Sequence, residues 1–350
     1  MKAWQIAAFG GPEQLTLRDL PRPEPRAGEA LVRVTHCGVN PIDRSVIGGR
    51  FTWLPLPHTP GVEIVGVVEA LGPGTDGAPP PGTPVALAFR LFCGRCRYCL
   101  VGREEACLAD PRGRNAPVAI GVTAPGGFAE YVIAPAQNWL PVPAGLAAVD
   151  ACTAVVDGTT AWHMLDRARV HSGDQVLVVG ATGGVGLYAV QMARLRGARV
   201  AALGGGAAKA RQLSAWGAEL AIDYTTEDVL ARVREWTDGR GADVVVDPLG
   251  ASTWATSIAA LAPFGRYVTC GILTGAEVTL NLAPFYAQQQ EILGSTGGAR
   301  ADLARVLAEL GAGRLRAPIW RRFPFAEAPA ALAALGDRSR VGKIVLDVAA

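Results

Sequence analysis

The chain has 350 residues, of which 50% are hydrophobic, so it is long enough for two domains with cores of their own. Its formal net charge of +2 argues against strong attraction to nucleic acid or to an anionic membrane surface. Pro and Gly interrupt the longest uncharged runs, such as Tyr131–Val149, so none of them predicts a membrane span.

The first part of the chain, residues 1–137, is predicted to form an irregular β-barrel-like domain. The sequence enters a strand at once, without the layout of a signal peptide, and we therefore expect a cytoplasmic protein. Turns rich in Pro and Gly separate four further short alternating runs, namely Glu29–Thr35, Ile64–Leu71, Thr83–Ala88 and Phe128–Ile133.

Four of the seven cysteines are closely and regularly spaced in the pattern C-x2-C-x2-C-x7-C. They are Cys93, Cys96, Cys99 and Cys107. Such spacing can place four thiolates of one loop around a tetrahedral zinc ion. Four protein ligands leave no open coordination position, so the sequence predicts one structural zinc. The alternative is a set of free thiols in a glycine-rich loop.

The most informative run is Val176–Gly186, where an apolar strand ends in glycines and is followed by a helical pattern to Leu195. This strand–turn–helix context is the one that a dinucleotide-binding loop requires. The glycines permit a tight turn and a close approach to a pyrophosphate, and the helix N-terminus supplies free N–H groups.

Further strand-like runs alternate with helical patterns, which predicts an α/β fold with a doubly wound parallel sheet. We assign residues 138–297 to this domain and expect residues 298–350, which end in a strand-like run, to return to the first domain. The predicted strands are Arg199–Leu203, Leu220–Ile222, Asp243–Asp247, Tyr267–Gly271 and Glu291–Gly294.

The end of the second strand of this sheet indicates the cofactor. NAD enzymes usually have an acidic residue there for the ribose diol, whereas this chain has Gly204 and then Lys209 and Arg211. This pattern predicts NADP(H). Alternatively, the two basic residues are solvated side chains on the next helix.

Six motifs span most of the chain, namely Cys37–Asp43, Pro60–Gly66, the cysteine loop, Gly127–Tyr131, Thr160–Trp162 and Gly180–Gly186. Through them the chain resembles the medium-chain dehydrogenase/reductase superfamily, in which a GroES-like β-barrel domain is joined to a Rossmann domain. The first of them is similar to the quinone oxidoreductase branch, whose members use NADPH.

The chain departs from the family at the catalytic zinc site. The resemblance implies three ligand positions, which are occupied here by Asn40, Val62 and Val156. An amide oxygen is a poor zinc ligand and valine is none, so we expect no catalytic zinc. Glu63 of the family motif is retained. His58 could be a displaced zinc ligand, but it is expected to be a loop histidine.

This departure limits the chemistry. Zinc lowers the pKa of a bound oxygen by about nine units, which corresponds to roughly 12 kcal/mol. A neutral hydrogen bond contributes about 1 kcal/mol. Alcohol oxidation is therefore not expected, whereas an electrophilic acceptor can take hydride without a metal. We expect NADPH-dependent reduction of a quinone or an α,β-unsaturated carbonyl compound.

The resemblance also implies roles for individual residues. Asn40 is expected near the nicotinamide, where its amide N–H could reach the acceptor oxygen, and Asp43 is expected to orient neighbouring groups or to serve as a turn carboxylate. The implied cofactor-binding residues are Thr160, Gly180, Gly183, Gly184, Val185, Gly186, Gly204, Lys209, Tyr224, Cys270, Gly271, Ile272 and Arg338.

The expected partners are a small-molecule acceptor and a second copy of the chain. Residues 281–295 resemble the segment through which this family pairs its Rossmann sheets, so a homodimer, or a homotetramer, is expected. Two alternatives stay open: a zinc-type alcohol dehydrogenase with another ligand set, and a non-catalytic NADPH-binding protein.

Overall fold

The computed structural model describes residues 1–107 and 119–349, which form two compact units. The first unit comprises the described residues within 1–156, 298–338 and 343–349, and the second comprises residues 157–297 and 339–342. No helix among the described residues is both long enough and apolar enough to cross a bilayer.

The strands are numbered in chain order: β1 Lys2–Ile6, β2 Leu15–Asp19, β3 Glu29–Val39, β4 Glu63–Leu71, β5 Pro84–Leu87, β6 Tyr131–Pro135, β7 Trp139–Pro141, β8 Gln175–Val178, β9 Arg199–Gly204, β10 Leu220–Asp223, β11 Ala242–Asp247, β12 Leu261–Thr269, β13 Glu291–Gly294, β14 Ile319–Pro324 and β15 Lys343–Asp347. The α-helices are α1 Pro41–Ile47, α2 Ala148–Thr153, α3 Thr159–Arg167, α4 Gly184–Leu195, α5 Ala207–Ala215, α6 Val229–Trp236, α7 Ala251–Ala259, α8 Leu282–Ala287, α9 Arg300–Gly311 and α10 Ala328–Ala333.

The first unit is built around β3, the longest strand of its sheet. β4 pairs with β3 on one side, while β6 and β15 pair with its first and last parts. The sheet continues to β14 beyond β15 and through β5 to β7 beyond β4. Its buried apolar side chains, among them Val32, Ile64 and Phe128, form one core cluster. β3 extends four residues past the predicted strand because β15 pairs with residues 36–39.

The second unit is a six-stranded parallel sheet in the order β10-β9-β8-β11-β12-β13. Counted from its first strand, this is the 3-2-1-4-5-6 order of a dinucleotide-binding Rossmann fold. Residues 175–178 of β8 are all buried, as expected for a strand covered by helices on both faces. The predicted α/β architecture is confirmed.

One predicted domain boundary differs from the division in the structure. Residues 138–156 were assigned to the Rossmann domain, but they belong to the first unit. β7 pairs with β5 of the first sheet, and α2 packs on β3 and β4. Near the end of the chain, β15 pairs with β3, whereas residues 339–342 group with the second unit.

Candidate functional site

The glycine-rich turn between β8 and α4 has the geometry of an anion-binding loop. Gly180 has a φ of +62°, which favours glycine. A Cβ atom at Gly186 would lie 2.4 Å from the Gly180 carbonyl oxygen, so the turn can close this tightly only with glycine there. α4 begins directly after Gly183, and the first N–H groups of a helix attract an anion such as a pyrophosphate.

Several of the predicted cofactor residues come together at the carboxyl edge of the parallel sheet. The glycine turn follows β8, Gly204 ends β9, and residues 270–272 follow β12. Because ligands of such sheets bind beyond the carboxyl ends of the strands, this edge is the candidate cofactor site. Thr160 lies in α3 of the same unit and is buried. Arg338 belongs to the first unit and is exposed, so its cofactor role stays a prediction.

Cys270 is not a candidate nucleophile. Burial of its thiol raises the pKa of Cys270 to about 12, with a further contribution from the charge of Asp157. The thiolate is the reactive form, and a thiol with this pKa stays protonated near neutral pH.

The residues that are expected to distinguish NADP(H) from NAD(H) lie around the loop between β9 and α5. The Tyr224 hydroxyl packs against Gly205, where a Cβ atom would approach it to 2.5 Å. The Tyr224 N–H donates to the Gly204 carbonyl at 3.2 Å, and Lys209 lies in the first turn of α5. The structure thus brings Gly204, Tyr224 and Lys209 together around one short loop.

Sequence reasoning missed Asp223, which anchors this loop. Its Oδ1 accepts hydrogen bonds from the Gly206 N–H at 2.8 Å and from the N–H and hydroxyl of Thr225 at 3.0 and 2.6 Å. The Thr225 hydroxyl, followed by the backbone donors, lowers the pKa of Asp223 below its usual value. Asp223 is the last residue of the apolar strand β10, a position that could have identified it as a loop anchor.

Asp157 and Gly342 also contact the dinucleotide loop, and neither contact was expected. A Cβ atom at Gly184 would lie 1.7 Å from the Asp157 Oδ2, so this carboxylate packs on the first turn of α4, where negative charge is favourable. The Gly342 N–H donates to the Thr182 carbonyl at 2.9 Å. No local sequence pattern could have indicated contacts between residues so far apart along the chain.

The four predicted zinc ligands converge in the structure. The sulfur atoms of Cys93, Cys96, Cys99 and Cys107 all lie within 4.8 Å of one another. A tetrahedral zinc ion with Zn–S bonds of about 2.3 Å requires sulfurs about 3.8 Å apart. The Cys96–Cys99 and Cys93–Cys99 separations of 3.5 and 4.0 Å fit this requirement. Since all four positions would be filled by protein, the site suits a structural ion.

A second group of polar side chains is buried in the first unit, where the catalytic residues were expected. It consists of Asn40, Asp43, Glu63 and Lys343, and we call it the buried polar cluster. Lys343 Nζ contacts both Asn40 Oδ1 and Glu63 Oε2. The second oxygen of Glu63 accepts the Val156 N–H at 3.0 Å. Sequence reasoning did not identify Lys343, because some 300 residues separate it from Asn40.

Asn40 has a different set of partners from the expected one. The Asn40 Nδ2 donates to Glu63 Oε2 at 3.0 Å and to the Gly38 carbonyl at 3.3 Å. Asn40 as a whole is only 2% exposed. Both amide hydrogens are therefore used inside the protein, so in this arrangement none is left for an acceptor oxygen. Asn40 is better placed to organise the cluster than to contact a substrate.

Asp43 holds the loop around the cluster, and its expected role in the catalytic site stays a prediction. Asn40 and Pro41 begin α1, and Asp43 reaches back to accept the Asn40 N–H at 2.8 Å, as in a capping box. Its other oxygen accepts the Gly61 N–H at 3.1 Å. Burial raises the pKa of Asp43 to about 7, although these hydrogen bonds and the charge of Lys343 act in the opposite direction.

The raised pKa of Asp43 predicts a pH dependence of stability. Between the unfolded value of 3.8 and the folded value of about 7, the native state holds a proton that the unfolded state has lost. The free energy of unfolding should therefore fall as the pH rises through this range, by about 2–3 kcal/mol between pH 5 and pH 8. Urea unfolding at the two pH values measures the change in the free energy of unfolding. Asp43→Asn should remove the part of this change that comes from the Asp43 proton. An unchanged slope in Asp43→Asn contradicts the prediction.

The positions that correspond to a catalytic zinc site do not fit a metal. Val62 lies in a buried apolar cluster, and Val156 packs against the same cluster. His58 is buried with Nε2 at 3.1 Å from the Gly121 carbonyl, which fits the expected loop histidine. Among the described residues, the cysteine cluster is the only group of His, Cys, Asp and Glu with metal-binding geometry.

Comparison with known proteins gives the family. Residues 26–144 match the model of the alcohol dehydrogenase GroES-like domain, and residues 184–312 match that of the zinc-binding dehydrogenases. The chain is 29% identical to an NAD-dependent alcohol dehydrogenase of Sulfurisphaera tokodaii and 30% identical to a quinone oxidoreductase of Pseudomonas aeruginosa. Each of these matches covers 99% of both chains.

Solved structures agree with this assignment. A thermostable alcohol dehydrogenase from Pyrobaculum aerophilum, solved with cobalt and zinc bound, is 39% identical and superposes with a TM-score of 0.90 over 99% of both chains. Alcohol dehydrogenases predominate among the similar proteins, and quinone oxidoreductases are fewer. The chain is an oxidoreductase that belongs to the medium-chain dehydrogenase/reductase superfamily, with the GroES-like and Rossmann domains of its zinc-binding dehydrogenases.

Proposed function

We propose that the protein is a nicotinamide-dependent oxidoreductase of the alcohol dehydrogenase type that reduces carbonyl compounds without a metal ion on the substrate oxygen. The similar proteins favour the alcohol–carbonyl pair over the quinone reduction expected from the sequence. The observation that carries the metal-free part is the residue set Asn40, Val62 and Val156, in which the amide is already hydrogen-bonded and both valines belong to apolar packing.

The chemistry of the missing ligands favours substrates whose carbonyl group is already activated, because loss of the metal ion raises the same barrier in both directions of the reaction. Alcohol oxidation must first remove the hydroxyl proton, and without a Lewis acid the site loses most of the roughly 12 kcal/mol by which zinc stabilises an alkoxide. A carbonyl carbon is already electrophilic. A dihydronicotinamide cofactor held by the glycine-rich turn would supply hydride for that carbon, and solvent would supply the proton for the oxygen, which would yield the alcohol and the oxidised cofactor.

The test is an acceptor panel at fixed reduced cofactor, followed at 340 nm and combined with zinc analysis. We expect oxidation of the cofactor by activated ketones or aldehydes, slow alcohol oxidation at neutral pH, and one zinc per chain. Two zinc ions per chain with fast alcohol oxidation contradict the proposal and favour a zinc-type enzyme. Cofactor binding without turnover of any acceptor favours a non-catalytic binding protein.

Reduction of a quinone or an α,β-unsaturated carbonyl compound is the second candidate. The segment Cys37–Asp43 and the relative from Pseudomonas aeruginosa favour it. Here hydride adds to a conjugated position and the charge spreads to a distant oxygen, which again requires no metal. Benzoquinone, a naphthoquinone and an enone in the same panel separate this candidate from simple carbonyl reduction.

We also propose that the cofactor is NADP(H), although some of the similar proteins are named as NAD-dependent. The support is local: Gly204 replaces the expected acid, and Lys209 lies in the first turn of α5, beside the loop that Asp223 and Tyr224 hold. A lysine here can offer a charge-assisted hydrogen bond to a 2′-phosphate.

Lys209→Glu tests this preference. Loss of a charge-assisted hydrogen bond should raise the KM for NADPH about 10- to 100-fold and change the KM for NADH little. Gln212→Glu is the matched control, because it adds negative charge to an exposed position of the same helix. Steady-state kinetics with both cofactors measure the effect. Equal changes for NADPH and NADH would remove Lys209 from phosphate recognition.

Finally, we propose that the protein is a homodimer or homotetramer. The edge strand β13 and the nearby helix α8 expose large apolar side chains, among them Ile292, Leu282 and Tyr286, the last 72% exposed. Pairing of two such edges would cover these side chains and satisfy the edge strand. Light scattering coupled to size-exclusion chromatography gives the mass, and a monomer at micromolar concentration contradicts the proposal.

A further inference from the structure

Asp157 brings a buried carboxylate to the carboxyl edge of the parallel sheet. The residue is only 6% exposed and lies in the π-helical turn Ala154–Gly158, directly before α3. Turns of π-helix are rare and often occur at functional sites. The glycine-rich turn binds a pyrophosphate through N–H groups and does not itself require an acid beside it. The carboxylate therefore calls for a reason of its own.

Two neighbours within the second unit locate this carboxylate. A Cβ atom at Gly184 would lie 1.7 Å from the Asp157 Oδ2, so the carboxylate touches the first turn of α4. Burial is the main cause of the raised pKa of Cys270, and the charge of Asp157 is the next cause. Cys270 directly follows β12. Asp157 therefore lies between the start of α4 and the segment after β12.

The order of the strands indicates which half of a dinucleotide this region would hold. A dinucleotide crosses such a sheet where the strand order reverses, which is between β8 and β11. The pyrophosphate takes the start of α4, and the adenosine half takes the β9 side, where Gly204 and Lys209 lie. The nicotinamide half is then left for the β11 and β12 side, which is the side of Cys270 and Asp157.

The two oxidation states of a nicotinamide cofactor differ in charge at the ring. The oxidised ring is a pyridinium cation, whereas the reduced ring is neutral, and the remainder of the molecule is the same in both. A carboxylate near the ring attracts only the oxidised form, and this attraction is strong where water is excluded. Its repulsion of the pyrophosphate is common to both forms. The ratio of the two dissociation constants therefore reports the charge near the ring alone.

A second carboxylate of this region, that of Asp247, has a different task. Its Oδ1 accepts the Leu249 N–H at 2.8 Å, and its Oδ2 accepts the hydroxyls of Thr253 and Ser257 at 2.6 and 2.8 Å. Asp247 thus fixes the loop after β11 and the start of α7. Its replacement would disturb the backbone, so Asp157 is the residue to change.

We propose that Asp157 selects between the oxidation states of the cofactor: its carboxylate attracts the oxidised nicotinamide ring and shifts the bound cofactor towards the oxidised form. Asp157 acts through its charge and neither gives nor takes a proton or hydride. The inference rests on the proposed dependence on a nicotinamide cofactor. It adds a reason why reduced cofactor held by this chain would give up hydride readily.

The test compares the affinity for both cofactor forms without any substrate. Dissociation constants for NADP+ and NADPH, and for NAD+ and NADH, are measured by quenching of tryptophan fluorescence, and the more tightly bound pair is used. Asp157→Asn should weaken binding of the oxidised form relative to the reduced form by about 10-fold, because the attraction to the ring is lost. Equal changes for both forms, which a merely structural role would cause, overturn the proposal, as does an unchanged ratio.

Glu235→Gln is the matched control. It removes the same charge from α6 of the same unit, where the side chain is 74% exposed and salt screens it. The ratio of the two dissociation constants should stay at the wild-type value. A shift as large as that of Asp157→Asn would mean that the net charge of the unit, rather than a carboxylate near the ring, sets the ratio.

Two further measurements cover the case in which Asp157→Asn does not fold. Asp157→Ser removes the same charge with a smaller polar side chain and should shift the ratio in the same direction. The wild type should bind the oxidised form at least as tightly as the reduced form, and a reduced form bound more tightly by about 10-fold overturns the proposal. A wild type that binds neither form overturns the proposed function as well, whereas tight binding with an unshifted ratio removes only the role of Asp157.

Discussion

Lys343→Met will lower the free energy of unfolding of the first unit by about 3–5 kcal/mol, because it leaves the Glu63 carboxylate buried without its cation. For a unit of this size the midpoint of thermal unfolding should fall by roughly 10 °C. Methionine keeps most of the volume of the lysine stem, so the loss reports charge rather than a cavity. Urea unfolding followed by tryptophan fluorescence measures it.

Two further proteins make this result specific. Lys343→Met combined with Glu63→Gln should recover most of the lost stability, because both charges are then absent. Lys2→Met is the control: Lys2 pairs with Asp19 at 2.7 Å on an exposed surface, where an ion pair contributes about 0–1 kcal/mol. A large loss in Lys2→Met, or no recovery in the double variant, is incompatible with a buried ion pair as the cause.

Cys99→Ser will abolish zinc binding by the cysteine cluster, since one of its four sulfurs is lost. Structural zinc sites contribute about 10–16 kcal/mol of apparent binding energy to the order of their loops. Zinc per chain should fall from one to none, and trypsin should then cleave residues 93–107, which contain Arg95, Arg97 and Arg103.

Cys152→Ser provides the matched control. Cys152 is a buried cysteine outside the cluster, and its thiol donates to the Glu63 carbonyl at 3.6 Å. The Cys152→Ser protein should therefore retain one zinc and resist trypsin in the cysteine loop. If Cys99→Ser still held a full equivalent of zinc, the cysteine cluster would not be the structural metal site.

Several features could be predicted from the sequence because each depends on residues close together in the chain. The apolar run before Gly180 and the periodic run to Leu195 predicted the dinucleotide loop, which the structure has between β8 and α4. The spacing of the four cysteines predicted their convergence, since a short loop can bring such positions together. The expectation of a metal-free catalytic site rests on the side-chain chemistry of Val62 and Val156, and it stays a prediction.

Only the tertiary structure decided which distant groups meet. Lys343 joins Asn40 and Glu63 through the register of β15 on β3, and no local pattern contains that register. The same holds for Asp157 on α4, and for residues 138–156, which belong to the first unit because β7 pairs with β5. Local propensity and side-chain chemistry depend on residues that are close together in the sequence. Pairing between strands and the neutralisation of buried charge depend on the whole folded chain.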